Sequence, residues 1–296
     1  DIFYDPTQLS IVKTDCVANP RLANPDIDKG LLVSVNTATP RRLRVGLLTG
    51  CVQRVFFGTV NEATARVLAA EGCEVIAPLA QGCCGALALH AGRDDEARAF
   101  ARALISTFEQ AQVDEVVVNA AGCGSAMKGY GHLLANDSTW AERAKQFAAK
   151  VRDVTETLAG LGPPRGARHP LPLSVAYHDA CHLAHAQGVR QQPRSILASV
   201  PGLTVVPLEE SDICCGSAGI FNLVEPDMGA ALARRKAENI ARSGAEAVVT
   251  SNPGCILQIA AGARQAGRSI PVFHIVELVD ASMKGIDPRE WLARAK

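Results

Sequence analysis

Eight of the ten cysteines in the sequence form two sets of four with nearly the same spacing. Each set contains an adjacent pair followed by glycine, with one further cysteine upstream and one downstream. The first quartet consists of Cys51, Cys83, Cys84 and Cys123, and the second quartet consists of Cys181, Cys214, Cys215 and Cys255. Matching members lie 130, 131, 131 and 132 residues apart. So small a drift over a whole repeat indicates an internal duplication.

Four thiolates are soft ligands that suit either a zinc ion or an iron–sulfur cluster. The spacing favours the cluster, because structural zinc sites usually draw on Cys-x-x-Cys pairs. Each quartet instead has two adjacent cysteines, whose side chains diverge and could reach different irons. We therefore predict that all eight cysteines bind metal, as one or two clusters of the 4Fe-4S type, with zinc as the alternative. The glycines after the two pairs, Gly85 and Gly216, are expected to adopt a positive φ or to allow a close backbone approach.

Three histidines close to the quartets, His90, His178 and His182, are candidates for hydrogen bonds to the thiolates. Such a bond would raise the reduction potential of a cluster, but a histidine that binds a backbone carbonyl is an equally good interpretation. Asp179, between His178 and Cys181, is expected to cap the helix that follows. No residue of the sequence is predicted to be catalytic.

The composition excludes several other classes of protein. Lysine plus arginine and aspartate plus glutamate both number 30, so no charge excess points to nucleic acid. No apolar stretch approaches the roughly 18 to 20 residues that span a bilayer, and no export leader is evident. We therefore expect a soluble cytoplasmic protein with reduced cysteines. Cys16 and Cys73 have no counterpart in the other copy and are predicted to be ordinary core or surface thiols.

The sequence also lacks three common catalytic motifs. It contains no Gly-x-x-x-x-Gly-Lys-Ser/Thr, no Gly-x-Gly-x-x-Gly and no Gly-x-Ser-x-Gly. Phosphate-cradling loops, dinucleotide binding and the hydrolase nucleophile elbow therefore have no support. We expect the substrate chemistry to belong to another polypeptide.

Short apolar runs alternate with helical patterns along both copies, which predicts an α/β fold with parallel sheets in two tandem duplicated domains. In the first copy we predict strands at 44–49, 74–79 and 115–119 and helices at 60–71, 94–110 and 141–158. In the second copy we predict strands at 174–178, 204–208, 247–250 and 272–275 and helices at 193–199, 227–243, 256–265 and 276–284. The predicted divisions are a connector at 1–40, a domain at 41–160, a Gly/Pro-rich linker at 161–172 and a domain at 173–296.

Every cysteine of the two quartets follows the carboxyl end of a predicted strand. In open parallel sheets that edge forms the ligand-binding crevice, so residues distant in sequence meet there. Helices that begin just after the cysteines direct their partial positive ends towards the same place. The eight thiols are therefore expected to converge, four by four, in two pockets.

These motifs resemble the cysteine-rich CCG-repeat family, which includes the cysteine-rich component of heterodisulfide reductase, lactate-utilisation iron–sulfur proteins and glycolate oxidase iron–sulfur subunits. The resemblance extends from about residue 41 to the end. It is most specific to the glycolate oxidase subunits, and the segments that carry it lie at 122–131, 206–219 and 252–259. The ferredoxin-like Cys-x-x-Cys-x-x-Cys-x-x-x-Cys-Pro runs of those subunits do not occur in this sequence.

The resemblance implies an electron-transfer subunit of a glycolate-oxidising complex, in which flavin-containing partner subunits oxidise glycolate. Its clusters would relay electrons through a ferredoxin-like module or subunit towards quinone, and the complex would place the chain peripherally on the cytoplasmic face of the inner membrane. Relatives with a noncubane cluster carry Cys-x-x-Cys at the third motif, whereas here Ala126 and Gln258 stand at the last position. The alternatives are a lactate, glycerol-3-phosphate or heterodisulfide-reductase-like subunit, a zinc-binding structural subunit, and thiol–disulfide catalysis at the adjacent cysteines.

Overall fold

The computed structural model describes the backbone of residues 31–33 and all of residues 40–293. These residues form nine strands, which are in chain order β1 (Leu31–Val33), β2 (Leu43–Leu48), β3 (Cys73–Ala77), β4 (Glu115–Val118), β5 (Val151–Asp153), β6 (Ser174–Tyr177), β7 (Thr204–Val206), β8 (Ala247–Thr250) and β9 (Val272–His274). Cys16 and the predicted connector up to residue 30 lie outside the described residues.

From β2 onwards, helices separate each described strand from the next. The first eight are α1 (Val52–Phe56), α2 (Gly58–Ala70), α3 (Ala86–His90), α4 (Asp94–Ala111), α5 (Ala121–Lys128), α6 (Tyr130–Leu133), α7 (Ala141–Lys150) and α8 (Val154–Gly160). The others are α9 (Gln191–Ala198), α10 (Phe221–Val224), α11 (Pro226–Ser243), α12 (Pro253–Gln265), α13 (Ile275–Lys284) and α14 (Pro288–Leu292), with a π-helical turn at His182–Ala186. We call β2 to α8 the first repeat and β6 to α14 the second repeat.

The two repeats have the same sheet topology. The first sheet has the order β1-β3-β2-β4-β5 and the second has the order β7-β6-β8-β9. All pairs are parallel except β1, which adds an antiparallel edge to β3. Without β1 the orders match strand for strand, which confirms the predicted α/β fold with two tandem parallel-sheet repeats.

One continuous hydrophobic core joins the repeats. It contains Val45 and Leu47 from β2, Val175 from β6 and Val249 from β8, together with residues of the helices between the two sheets. There α2 packs on α13, and α8 packs on α9. Separate clusters cover the outer faces, under α4, α5 and α7 in the first repeat and under α11 and α12 in the second. Each sheet is therefore covered by helices on both faces, as parallel strands require.

One predicted element is wrong. The single helix at 141–158 is broken by β5, which pairs with β4 and buries Val151 completely. Asp153 then starts α8 as its N-cap: its carboxylate accepts from the Thr155 N–H, and Glu156 accepts from the Asp153 N–H. This reciprocal capping box begins a new helix with its own axis.

Candidate metal centres

The cysteines of the first quartet lie at the carboxyl ends of β2, β3 and β4, three adjacent strands of the first sheet. The sulfurs of Cys51 and Cys83 are 3.6 Å apart. Side-chain contacts continue from Cys83 to Cys84 and from Cys84 to Cys123, so the four thiols form one connected group. Hydrogen bonding to Cys83, followed by burial, raises the pKa of the Cys51 thiol.

The second quartet has the same arrangement beyond β6, β7 and β8. Side-chain contacts link Cys181 to Cys214, Cys214 to Cys215, and Cys215 to Cys255. Hydrogen bonds from Cys181 and Cys215 lower the pKa of the Cys214 thiol, and a hydrogen bond from Cys215 lowers that of Cys255. Both quartets therefore converge as the strand edges predict.

The glycine after each cysteine pair has the predicted positive φ, +78° at Gly85 and +96° at Gly216. This conformation turns the backbone back on the pair, so the N–H of Gly85 donates to Cys83 Sγ and that of Gly216 to Cys214 Sγ, both at 3.3 Å. A Cβ on Gly216 would lie 2.4 Å from the carbonyl oxygen of Gly229. Only glycine fits this position.

Polar side chains tie the cysteine loops of each repeat together. In the first repeat, buried Gln81 accepts from the Thr49 N–H at 2.7 Å and donates to the Leu47 carbonyl at 3.2 Å. In the second repeat, the Asp179 carboxylate accepts two bonds of 2.8 Å from Arg194 and one of 2.8 Å from Ser211. The predicted helix cap at Asp179 is therefore wrong, because this carboxylate clamps two loops instead.

The three predicted histidines occupy different environments. His178 is fully buried, and one of its ring nitrogens and the sulfurs of Cys215 and Cys255 all lie within 4.8 Å of one another. His182 places Nδ1 3.8 Å from Cys181 Sγ. His90 meets the ring of His182 edge to face, with centroids 5.4 Å apart. The last two histidines therefore form a contact between the repeats.

Asn252 directly connects the two cysteine loops. Its Nδ2 donates to Cys255 Sγ at 3.4 Å, and its Oδ1 accepts from the N–H of Gly122, the neighbour of Cys123, at 3.3 Å. The Ala121 N–H also donates to the Ser251 carbonyl at 3.2 Å. The turn that carries Cys123 therefore lies against the turn that carries Cys255. Sequence reasoning missed Asn252, although its position three residues before a cysteine was a usable signal.

Two other side chains have structural roles near the first quartet. Tyr130 is fully buried, and its hydroxyl donates to the Cys84 carbonyl at 2.7 Å. Lys128 forms an ion pair with Glu156 of α8 at 2.5 Å.

Cys73 is fully buried away from the quartets, and burial raises the pKa of its thiol to about 12. Its predicted role as a core thiol is confirmed.

The donor chemistry of both pockets fits a thiophilic metal centre. Each has four connected thiols, and backbone N–H groups donate to one sulfur of each adjacent pair. All nine described cysteines are free thiols, so disulfides do not compete for them. The second pocket also holds the buried imidazole of His178, whose nitrogens lack a nitrogen or oxygen partner within residues 40–293 and which, after Cys215, lowers the pKa of the Cys255 thiol. Soft sulfur donors of this kind bind iron–sulfur clusters or zinc.

The chain matches known proteins over most of its length. A family model described as a cysteine-rich domain, CCG, matches twice, over residues 45–128 and 175–260. The chain belongs to this cysteine-rich domain family. It is 36% identical over 243 residues to the "Probable glycolate oxidase iron-sulfur subunit" of Bacillus subtilis, covering 81% of this chain and 55% of that protein. The chain thus spans little more than half the length of this relative.

Two further similarities concern a shorter relative and a solved structure. The chain is 32% identical over 240 residues to "Lactate utilization protein A" of Exiguobacterium sp., covering 81% of this chain and 98% of that protein. The crystal structure of a hypothetical protein from Helicobacter pylori superposes with a TM-score of 0.61 at 10% identity, covering 86% of this chain and 51% of the other. At that identity the structure supports the fold alone. Among the described helices, none is long and apolar enough to cross a membrane.

Proposed function

We propose that this chain is an iron–sulfur electron-transfer subunit of a 2-hydroxy-acid oxidoreductase complex, with glycolate as the substrate of the complex. The observation that carries the proposal is the convergence of two thiol quartets at matching sheet edges. The names of the relatives, a glycolate oxidase iron–sulfur subunit and lactate utilization proteins, support the type of complex.

In this proposal each quartet binds one cluster of the 4Fe-4S type through its thiolates. A bound cluster supplies one-electron transfer. The surrounding residues hold the thiolates in place and donate hydrogen bonds to sulfur, through the N–H groups of Gly85 and Gly216 and the amide of Asn252. Such bonds favour the more negative, reduced state of a cluster and so raise its potential.

The partners and the location are part of the same proposal. Flavin-containing subunits would take the hydride from glycolate, and a ferredoxin-like module or subunit would connect this chain with the quinone pool. The chain would then lie in the cytoplasm, peripherally on the inner membrane through its complex. We also propose domains at 41–160 and 173–296, which is supported by the repeated strand order and by the absence of helices and strands between α8 and β6 among the described residues.

Lactate is the second candidate substrate of the complex. It is favoured by the relative called lactate utilization protein A, 98% of whose length is covered by the match. The purified complex should be offered glycolate, each enantiomer of lactate, and glycerol 3-phosphate under anoxic conditions. Reduction of the clusters by glycolate supports the first proposal. If lactate alone reduces the clusters, lactate rather than glycolate is the substrate of the complex. If glycerol 3-phosphate alone reduces them, neither 2-hydroxy acid is the substrate.

Metal analysis tests the cofactor. The full chain should be purified anoxically, and its iron, sulfide and zinc contents measured together with its EPR spectrum. We expect iron and sulfide, and we expect Cys51→Ala and Cys181→Ala each to lower the iron content by about half. Cys73→Ala is the matched control, because it removes a buried thiol outside both quartets. Stoichiometric zinc without iron would reject the relay and favour a structural role.

A further inference from the structure

The His178 side chain has no nitrogen or oxygen partner among residues 40–293. It is fully buried, and its ring interacts with the Cys255 thiol, whose pKa is lowered by Cys215 and by this ring. A buried polar group without a hydrogen bond costs free energy, so native proteins retain one where it binds something else. One ring nitrogen of His178 and the sulfurs of Cys215 and Cys255 all lie within 4.8 Å of one another.

The neighbouring carboxylate of Asp179 is not the hydrogen-bond partner of the His178 ring. Asp179 follows His178 directly, but its carboxylate is bound by both guanidinium nitrogens of Arg194 and by the hydroxyl of Ser211. The link between His178 and the sheet is made by its backbone, whose N–H donates to the Val249 carbonyl at 2.9 Å. That hydrogen bond does not depend on the side chain. The ring is therefore available to the cysteine pocket.

The duplication provides an internal comparison. At the spacing of 130 residues between Cys51 and Cys181, the counterpart of His178 in the first repeat is Leu48. Leu48 is 1% exposed and belongs to the same hydrophobic cluster as Cys84. A leucine therefore satisfies the packing at this position next to a thiol quartet. Packing alone therefore does not require an imidazole at the corresponding position of the second repeat, and the ring nitrogens of His178 are what it adds.

We propose that a ring nitrogen of His178 is a ligand of the metal centre bound by the second quartet, where it takes the place of one of the four thiolates. The first centre then has only sulfur donors, whereas the second has sulfur and nitrogen donors. The inference rests on the proposed metal binding by the quartets. Neutral imidazole is a common ligand of both iron and zinc. Histidine in place of a thiolate raises the potential of an iron–sulfur centre, which favours electron transfer from the first centre to the second.

Isotope labelling tests this ligand without any substitution. The anoxically purified full chain should be prepared with 14N-histidine and with 15N-histidine, and the nitrogen hyperfine couplings of its reduced centre should be measured by pulsed EPR. We expect a coupling that changes with the isotope and is lost in His178→Leu, which copies the first repeat. His185→Leu is the control, because His185 is exposed and binds Asp212 and Arg190. The coupling should persist in this variant.

The outcomes separate the ligand from the proposed function. Iron and sulfide in both repeats without an isotope-dependent coupling would overturn the His178 assignment and leave the relay intact. Zinc in place of iron would overturn the relay, and zinc-edge X-ray absorption would then test the ligand. One nitrogen per zinc of the second site that is lost in His178→Leu would support the assignment. A shell of sulfur alone would reject it, and metal absent from both quartets would overturn both proposals.

Discussion

The side-chain oxygen of Asn252 accepts a hydrogen bond from the backbone N–H of Gly122 across the boundary between the repeats, at 3.3 Å. The other atom of the same amide donates to Cys255 Sγ. The Asn252 side chain therefore contacts both the cysteine motif that follows β4 and the one that follows β8. The residue 132 positions earlier is Ala120, so the first repeat has no equivalent amide.

Asn252→Ala should lower the reduction potential of the second centre by about 20 to 65 mV. This range corresponds to the loss of one hydrogen bond of roughly 0.5–1.5 kcal/mol to the reduced state. A redox titration followed by EPR measures the shift. Asn222→Ala is the control, because the Asn222 amide donates to Gln258 rather than to a sulfur. An equal shift in both variants would show that the effect is not a property of the bond to Cys255.

Gly216→Ala should destabilise the second repeat by about 2–5 kcal/mol and reduce its metal content. The new Cβ meets the Gly229 carbonyl oxygen at 2.4 Å, and the φ of +96° is strained for alanine. Chemical denaturation and iron analysis measure the two effects. Gly244→Ala is the matched control, because its φ is +68° but no atom lies within 4 Å of the new Cβ. It should cost only about 1–2 kcal/mol; similar costs would contradict the steric explanation.

Arg66→Met should lower the free energy of unfolding by about 2–3 kcal/mol. Arg66 of α2 forms a bidentate ion pair with Asp280 of α13, and their side chains are 18% and 8% exposed. Removal of the guanidinium leaves a buried carboxylate, although Lys284 still contacts it at 2.7 Å and limits the loss. Arg93→Met removes an exposed ion pair with Glu96 and should cost under about 1 kcal/mol. Equal losses of stability in denaturant titrations of the two variants would show that the ion pair between the repeats stabilises the protein no more than an exposed ion pair does.

The stability of the protein should depend on His274 at acidic pH. Complete burial lowers the pKa of this imidazole from 6.5 to about 4, so below pH 6.5 the unfolded state binds a proton that the folded state does not. The stability difference between the wild type and His274→Asn should be constant above pH 6.5. It should shift against the wild type by up to about 1.4 kcal/mol per pH unit between pH 6.5 and 4, about 3 kcal/mol in total.

Denaturant titrations between pH 4 and 8 measure this difference. Asparagine retains an acceptor for the N–H of Val276, which His274 Nδ1 now caps at 3.3 Å. Burial raises the pKa of Asp153, the corresponding cap in the first repeat, to about 6. The contribution of Asp153 to the free energy of unfolding is lost as the pH rises through about 6, whereas that of His274 is lost as the pH falls. Because Asp153 is present in both proteins, it cancels in the difference, and a pH-independent difference would refute the role of His274.

The convergence of the quartets could be predicted because it depends only on strand order and on the position of each cysteine after a strand. Parallel strands bring their carboxyl ends to one edge, whichever helices connect them. The three-residue strand β5 could not be predicted from periodicity, because helical patterns flank it on both sides. The pair Asp153 and Glu156 did carry a capping-box signal for a new helix start.

The sequence neighbours of His178 indicated a place near the second quartet but not which thiols its ring approaches. It stands three residues before Cys181, yet the sulfurs that it approaches belong to Cys215 and Cys255, which follow other strands. That proximity arises only when β6, β7 and β8 are aligned in the sheet. Asn252 is a similar case, since its contact with Gly122 depends on how the two repeats pack.

The contacts between the helices of the two halves are reciprocal: α2 packs on α13, and its counterpart α9 packs on α8, the counterpart of α13. This is the pattern of an isologous interface, in which each partner presents the same surface to the other. It is the geometry of a symmetric homodimer whose two copies have been fused into one polypeptide. Within one polypeptide the two halves need not be identical, and Leu48 and Ala120 in one half stand where His178 and Asn252 stand in the other.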